Sequence, residues 1–221
     1  MTSERGRVGR DFASLGDLNE ALRAALSPGP GIGRVVAGEG PAPASVAFVG
    51  EQPGDEEDRQ GRPFVGPAGR LFDRALGEAG IDRRRIYVTN AVKRFNFLER
   101  GKRRLHRKPT AGEVSHERWW LERELELVEP RLVVALGATA GQALAGRRVA
   151  VTRERGPLAF GPWRGYLTVH PSYLLRIPDE AAKQEAHAAF VADLVAVRQL
   201  AGPLGGGRYD EVEDGNDMPA P

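Results

Sequence analysis

The chain of 221 residues contains no cysteine, which excludes disulfides, thiolate-bound zinc and any cysteine-held iron–sulfur cluster. It also lacks long apolar runs. None approaches the roughly 20 residues that span a bilayer, so no membrane partner is expected. The N-terminal residues lack the apolar core of a secretory signal, and a cytoplasmic protein is expected. No strand-like segment opens a Gly-x-Gly-x-x-Gly turn, which sets aside a nucleotide-cofactor domain.

What is present suits one globular domain. Charged residues make up 28% and hydrophobic residues 41% of the chain, enough for a single well-packed core but not for two full-sized domains. The net charge of +2 is unevenly spread. Residues 203–221 carry five acids (Asp210, Glu211, Glu213, Asp214, Asp217) against the single base Arg208, leaving the body at +6. A moderately basic body is compatible with a polyanionic partner.

The chain divides into a flexible lead-in (1–15), one domain (16–202) and a disordered acidic tail (203–221). Leu18, Leu22 and Leu26 lie at helical spacing behind Asp17, so residues 16–26 are predicted as a helix. A Pro/Gly-rich stretch, 27–43, follows as an irregular connector. Apolar runs at 45–50, 86–90, 132–136 and 166–170 then alternate with helical patterns at about 67–79, 112–128, 138–145 and 179–201. A β-hairpin is possible before the strand at 166–170. This rhythm predicts an α/β fold, a parallel sheet covered on both faces. Ligands of such sheets bind beyond the carboxyl ends of the strands. There the sequence gathers GEQPGDEED (50–58), TNAVKRF (89–95), GATAG (137–141) and HPS (170–172), an unusually polar set.

Several of these residues admit two readings. The glycines around Pro53 force a tight turn presenting Glu51, Gln52 and Asp55, either as a plain strand-to-helix loop or as part of a site. Phe64, between rigid turns, is a core residue or a stacking surface for a flat ligand. Asn90 ends an apolar strand, where its amide either caps a turn or reads the paired donor and acceptor of a pyrimidine. His170 polarises a substrate or hydrogen-bonds its own loop. Six of the nine residues in RGKRRLHRK (100–108) are Lys or Arg, with His106 among them. That segment is a solvated loop gripping phosphate, or a cationic setting that disfavours imidazolium and leaves a neutral, nucleophilic imidazole.

Taken in order, GEQPGDEED, GRPFVGPAGRLFDRAL, IYVTNAVKRF, GKRRLHRKP, LGATAGQAL and TVHPSYLLR resemble the uracil-DNA glycosylase superfamily, from about Val46 to Arg176. The KRRLH string is similar to the UdgX type within its family-4-like branch. The resemblance implies a three-layer α/β/α fold with a central four-stranded, mostly parallel sheet. The implied partner is uracil-containing DNA, preferably single-stranded, bound by a monomer.

The resemblance also implies roles for individual residues. Phe64 would stack on the extruded uracil and Asn90 would hydrogen-bond its polar edge, while Gly50 belongs to the substrate-binding set and Gln52 and Asp55 help form the pocket floor. His170 would donate to the uracil oxygen as negative charge builds there. Glu51 would stabilise positive charge on the sugar or orient His106. His106 would attack C1′ and stay attached, consuming the protein in one turnover. Lys102, Arg103, Arg104, Arg107 and Ser172 would contact the DNA. Two other readings stay open: a conventional hydrolytic glycosylase with turnover, and a non-catalytic DNA-binding relic of the fold. The joint presence of Glu51, Phe64, Asn90, His106 and His170 weakens the relic reading.

One departure from the family pattern is large. The family usually holds a four-iron, four-sulfur cluster on cysteines, whose positions fall near Arg23, Leu26 and Glu117 here. No cluster and no metal are therefore expected, and Trp119 and Trp120 are expected to fill part of the cluster's place.

Overall fold

A computed structural model describes residues 12–204. In chain order the elements are α1 (Leu15–Ala25), β1 (Ile32–Val35), β2 (Val46–Gly50), α2 (Asp55–Gln60), α3 (Pro67–Glu78), β3 (Tyr87–Asn90), β4 (Arg94–Arg100) and β5 (Arg103–His106), then α4 (Ala111–Val128), β6 (Leu132–Leu136), α5 (Ala138–Ala145), α6 (Val151–Glu154), β7 (Gly156–Pro157), β8 (Gly165–Thr168), α7 (Pro171–Leu174) and α8 (Glu180–Ala201). Most of the expected lead-in (residues 1–11) and acidic tail (residues 205–221) lies outside the described residues.

The central sheet runs β3-β2-β6-β8-β7, with β3, β2, β6 and β8 parallel. It therefore departs from the expected four strands: β7 adds an antiparallel fifth at the edge. Its two residues, Gly156 and Pro157, carry no strand pattern, and proline is tolerated in a sheet mainly at such an edge. Strands β2 and β6 are buried along their whole length, so alternate side chains feed two cores. Val46, Phe48, Val134 and Leu136 pack with Phe72 and Leu76 of α3 and Phe190 and Leu194 of α8. Ala47, Val49, Val133 and Ala135 face Leu121 and Leu125 of α4 and Leu144 of α5. Each core buries enough apolar surface to fix the strand register, because a one-residue slip would exchange the two faces.

A second sheet, β1-β4-β5, is antiparallel. It corrects two expectations. The connector 27–43 contains β1, and the basic segment 100–108 is the turn and return strand of a hairpin rather than a loop. The reason is strand alternation: Arg104 and His106 share one face of β5, while Arg103 and Leu105 take the other. Gly101, at φ 61°, supplies the turn.

The positions matched to cluster cysteines are otherwise employed. Arg23 is exposed. Leu26 is buried with Leu22 and Val35 beside Trp120, and Trp120 meets Trp119 edge to face at 4.8 Å. Glu117 is buried and accepts from the Lys93 amide and from Arg94 Nη2 at 2.9 Å. An exposed arginine, a core leucine and a carboxylate already paired do not fit an iron–sulfur cluster. Among the described residues no group of three or more His, Asp or Glu could hold a metal ion.

This packing has measurable consequences. Trp120→Ala should lower the unfolding free energy by about 2 kcal/mol, as a partly buried ring is lost. Arg94→Met should cost about 3 kcal/mol by leaving the Glu117 carboxylate buried and unpaired. A strong chelator should leave the urea midpoint of the parent protein unchanged; a lowered midpoint would mean that a metal braces this region after all.

Candidate active site

The strand order places a crevice between β2 and β6. The chain leaves β2 for β3 on one side and later crosses to β6 on the other, the arrangement at which open parallel sheets bind ligands. The residues following the strands converge there on a cleft of about 1170 Å³, lined among others by Glu51, Asn90, Thr139 and His170. Thr139, in the first turn of α5, donates its hydroxyl hydrogen to Glu51 Oε2 across the crevice.

One side of the cleft is built for a flat ring. Phe64 is almost fully buried, packs on Phe72 at 5.3 Å and lies 6.3 Å from the His170 ring at an interplanar angle of 28°. Its φ of 56° is unusual for a non-glycine residue and holds the ring in a costly conformation that its surroundings must enforce. Gly69 is part of that enforcement: a Cβ there would lie 1.9 Å from the Phe64 carbonyl oxygen. Gly50 has a matching role, since its Cβ would come within 2.4 Å of Asn90 Oδ1 and 2.7 Å of Phe64 Cζ. Asn90 is 4% exposed, yet among the described residues no hydrogen bond engages its side-chain amide. A buried amide opening on a cleft without a partner is suited to a ligand that supplies one.

The hairpin forms the opposite wall. His106 Nε2 lies 3.3 Å from Glu51 Oε1, with the imidazole half exposed. Two clamps hold it there. Arg104, on the same face of β5, hydrogen-bonds Asp55 at 2.6 Å and Asp58 at 2.5 Å, and its guanidinium lies 5.5 and 5.0 Å from the Phe95 and Phe97 rings. Gln52 gives both halves of its amide to the hairpin: Nε2 donates to the Asn96 and Arg107 carbonyls, and Oε1 accepts from the Asn96 amide side chain.

These contacts separate the expected site residues into groups. Glu51, Phe64, Asn90, His106 and His170 meet around one cleft. Gln52 and Asp55 also line it, but their polar atoms are engaged: those of Gln52 by the hairpin, and those of Asp55 by Arg104 of the hairpin and by Arg59 of α2. Arg104 and Arg107, expected to grip DNA, are tied to carboxylates; Arg107 Nη2 lies 2.7 Å from Glu113. Lys102 and Arg103 are exposed at the hairpin turn. Ser172 fixes His170: its amide donates to Nδ1 at 3.1 Å and its hydroxyl lies 2.8 Å from the same nitrogen.

That bond sets the tautomer. With Nδ1 accepting, a neutral His170 carries its proton on Nε2. Burial drives its pKa down, with Arg176 adding to the effect and Glu51 opposing it, to about 4. Burial pulls Glu51 the other way, but hydrogen bonds from His106 and Thr139 outweigh it and hold the carboxyl below its ordinary value. The cleft thus holds an ionised carboxylate and a neutral N–H donor at the same pH.

Some contributors carry no motif signal of their own. Glu57 is buried and accepts from the Gly54 amide at 3.0 Å and the Gly66 amide at 2.8 Å, tying together the two loops that carry Glu51 and Phe64. Glycine as N-cap with glutamate three residues on is the only local hint. Tyr173 and Leu175, 48% and 43% exposed, form an apolar rim on the cleft beside Arg176; their place follows from the short α7, which the sequence pattern does not reveal.

The family described as the uracil DNA glycosylase superfamily matches residues 37–195. The chain is similar to the type-4 uracil-DNA glycosylase of Thermotoga maritima, with 42% identity over 145 residues, covering 64% of this chain and 72% of the relative. It is also similar to the type-4 uracil-DNA glycosylase of Pyrobaculum aerophilum, at 35% over 152 residues, 65% of this chain and 74% of the relative. The type-5 uracil-DNA glycosylase of that organism is 34% identical over 160 residues, 64% of this chain and 67% of the relative.

Two measurements test the geometry directly. Arg104→Met should speed amide hydrogen exchange in Arg103–His106 while leaving β2 and β6 protected; equal protection in both proteins would show that the hairpin docks without this ion pair. For His170 the linkage has a definite sign. Between pH 6.5 and about 4 the unfolded chain binds a proton that the folded chain refuses, so stability is lost as pH falls through that window. The stability difference between the parent and His170→Asn, from urea unfolding, should therefore shrink from pH 7 to pH 4. A constant difference would mean that the ring is not buried neutral.

Proposed function

The chain belongs to the uracil-DNA glycosylase superfamily, and we propose that it excises uracil from DNA and remains joined through His106 to C1′ of the resulting deoxyribose. Within the superfamily this is the UdgX-type reaction, assigned here on Lys102-Arg103-Arg104-Leu105-His106. The observation that carries the proposal is the approach of His106 Nε2 to Glu51 Oε1, 3.3 Å apart in the cleft that also holds Asn90 and His170.

The proposed roles follow from the chemistry of each group. The extruded base lies against Phe64, and its donor and acceptor edge satisfies the free Asn90 amide. A strand that is already single avoids the few kcal/mol of unstacking and unpairing. As the bond between C1′ and N1 breaks, its electron pair moves onto the uracil, where the Nε2–H of neutral His170 donates to the developing oxyanion. Positive charge on the sugar faces the ionised Glu51 carboxylate. His106 attacks C1′ with the in-plane lone pair of Nε2, in the tautomer that carries its proton on Nδ1, and the imidazolium so formed releases that Nδ1 proton. That proton finally reaches the uracil anion, so one N–H and one C–N bond are exchanged for one C–N and one N–H bond. In this reading Tyr173 and Leu175 contact neighbouring bases, and Lys102 and Arg103 neighbouring phosphates.

A hydrolytic reaction is the second reading. It is favoured by the exposure of half of the His106 side chain, which leaves room for a water beside Glu51. Denaturing gels separate the two. Excess protein and a labelled single-stranded oligonucleotide with one uracil should give a slow band that survives heat and detergent. His106→Ser should lose that band and leave alkali-labile abasic sites. Alkali-labile product without any such band from the parent protein would establish hydrolysis. Glu51→Gln should slow uracil release by about 100-fold or more in either case.

A further inference from the structure

Helix α6 separates two concavities. Val151, Thr152 and Arg155 face the active-site cleft, while Arg148, Ala150, Arg153 and Glu154 face a second recess of about 510 Å³ on its other side. The division follows helical geometry, since 151 and 155 lie one turn apart on one face and 150, 153 and 154 share the other.

The acids in this region are already matched. Glu154 pairs with Arg147 at 2.6 Å and accepts from the Ala150 amide at 2.9 Å, fixing the turn into the helix. Asp193 pairs with Arg155 at 2.7 Å and accepts from Tyr166 at 3.0 Å. Arg148 and Arg153 are exposed, and among the described residues neither forms a salt bridge. The recess is therefore positive, next to a cleft proposed to bind a polyanion and on a wall formed by a different part of the chain from the hairpin.

We propose that this recess is a phosphate-binding track, in which Arg148 and Arg153 hold the backbone of the single strand after it has crossed α6 from the cleft. The proposal rests on the DNA-binding reading of the cleft and extends it. Arg148 and Arg153 grip phosphates outside the reacting nucleotide, so they set affinity for long strands and leave the chemistry untouched. The strand is then held on both sides of the cleft, by Lys102 and Arg103 of the hairpin on one side and by this recess on the other. Exposed cations that contact only phosphate carry no base preference.

The test is equilibrium binding by fluorescence anisotropy, with uracil-free single-stranded oligonucleotides so that no reaction intervenes. A long strand and a five-nucleotide strand are each titrated across a salt series with the full chain and with Arg148→Gln/Arg153→Gln. On the long strand the double variant should lower the magnitude of the log–log salt slope by roughly 1.4, the loss of two phosphate contacts on a single strand. On the five-nucleotide strand the slope should not change. An unchanged slope on the long strand overturns the track. An equal fall on both strands overturns it as well, because the two arginines would then be acting within the cleft. Failure of the cleft reading is recognised separately: the parent protein would release no uracil in the gel assay, whatever the binding slopes.

Discussion

Arg104 joins the two parts of the candidate site. One guanidinium binds Asp55 and Asp58 of α2 and lies over Phe95 and Phe97 of its own hairpin. Without it Asp58, whose side chain is 8% exposed, would lose its charged partner, and breaking a buried pair typically costs 3–5 kcal/mol. That penalty makes the docked hairpin the stable arrangement. His106, two residues further along the strand, shares the face Arg104 presents and so arrives opposite Glu51. Arginine suits the position better than lysine because its planar fork bonds two carboxylates while its faces remain free to stack. A positive charge two residues from the imidazole is thus spent on holding the strand in place, and the charged group nearest the ring is a carboxylate.

The same cleft asks opposite things of its titratable groups. The proposed reaction needs Glu51 ionised and His170 neutral at one pH, and burial alone would satisfy only the second. The difference lies in hydrogen bonds. Glu51 receives bonds from His106 and Thr139, which favour the anion, whereas the Ser172 amide donates to His170 Nδ1 and suits the neutral ring. Pushing neighbouring groups apart in this way gives one pocket both an anion and a neutral donor, the pair that the proposed reaction uses on the sugar and on the departing base.

Legibility in the sequence followed the range of the interactions. Strand 132–136 and helix 138–145 coincide with β6 and α5 because apolar run length and a flanking glycine decide them locally. The strand ends that hold Glu51, Asn90 and His170 were readable for the same reason. The β4–β5 hairpin was not, since a run of cations has no strand period until Arg104 finds its partners on α2, 46 and 49 residues away in sequence. Strand β1 was hidden among prolines and glycines because its order comes from pairing with β4. As polar residues in a motif, Asp55 and Gln52 suggest a pocket floor and Arg107 a DNA contact. Only the folded chain reveals that their polar atoms are engaged by other protein groups, Asp55 by Arg104, Gln52 by Asn96 and Arg107 by Glu113.

The carboxylate brace on α4 and the placement of His106 are parts of one device. On α4, Glu113 and Glu117 lie one turn apart and project from the same face. Glu117 holds Arg94 at the start of β4, and Glu113 holds Arg107 just beyond the end of β5. The base of the hairpin is therefore gripped on both strands by one helix, while Arg104 grips the hairpin further along from α2. Two turns beyond Glu117, Glu124 binds Lys93, Thr89 and Tyr87 and fixes the strand that ends in Asn90. Charge-assisted bonds of this kind contribute about 1.5–3 kcal/mol each when buried, and they act at defined distances. A row of carboxylates on α4 can thus hold the Asn90 strand and the His106 strand in one fixed relation.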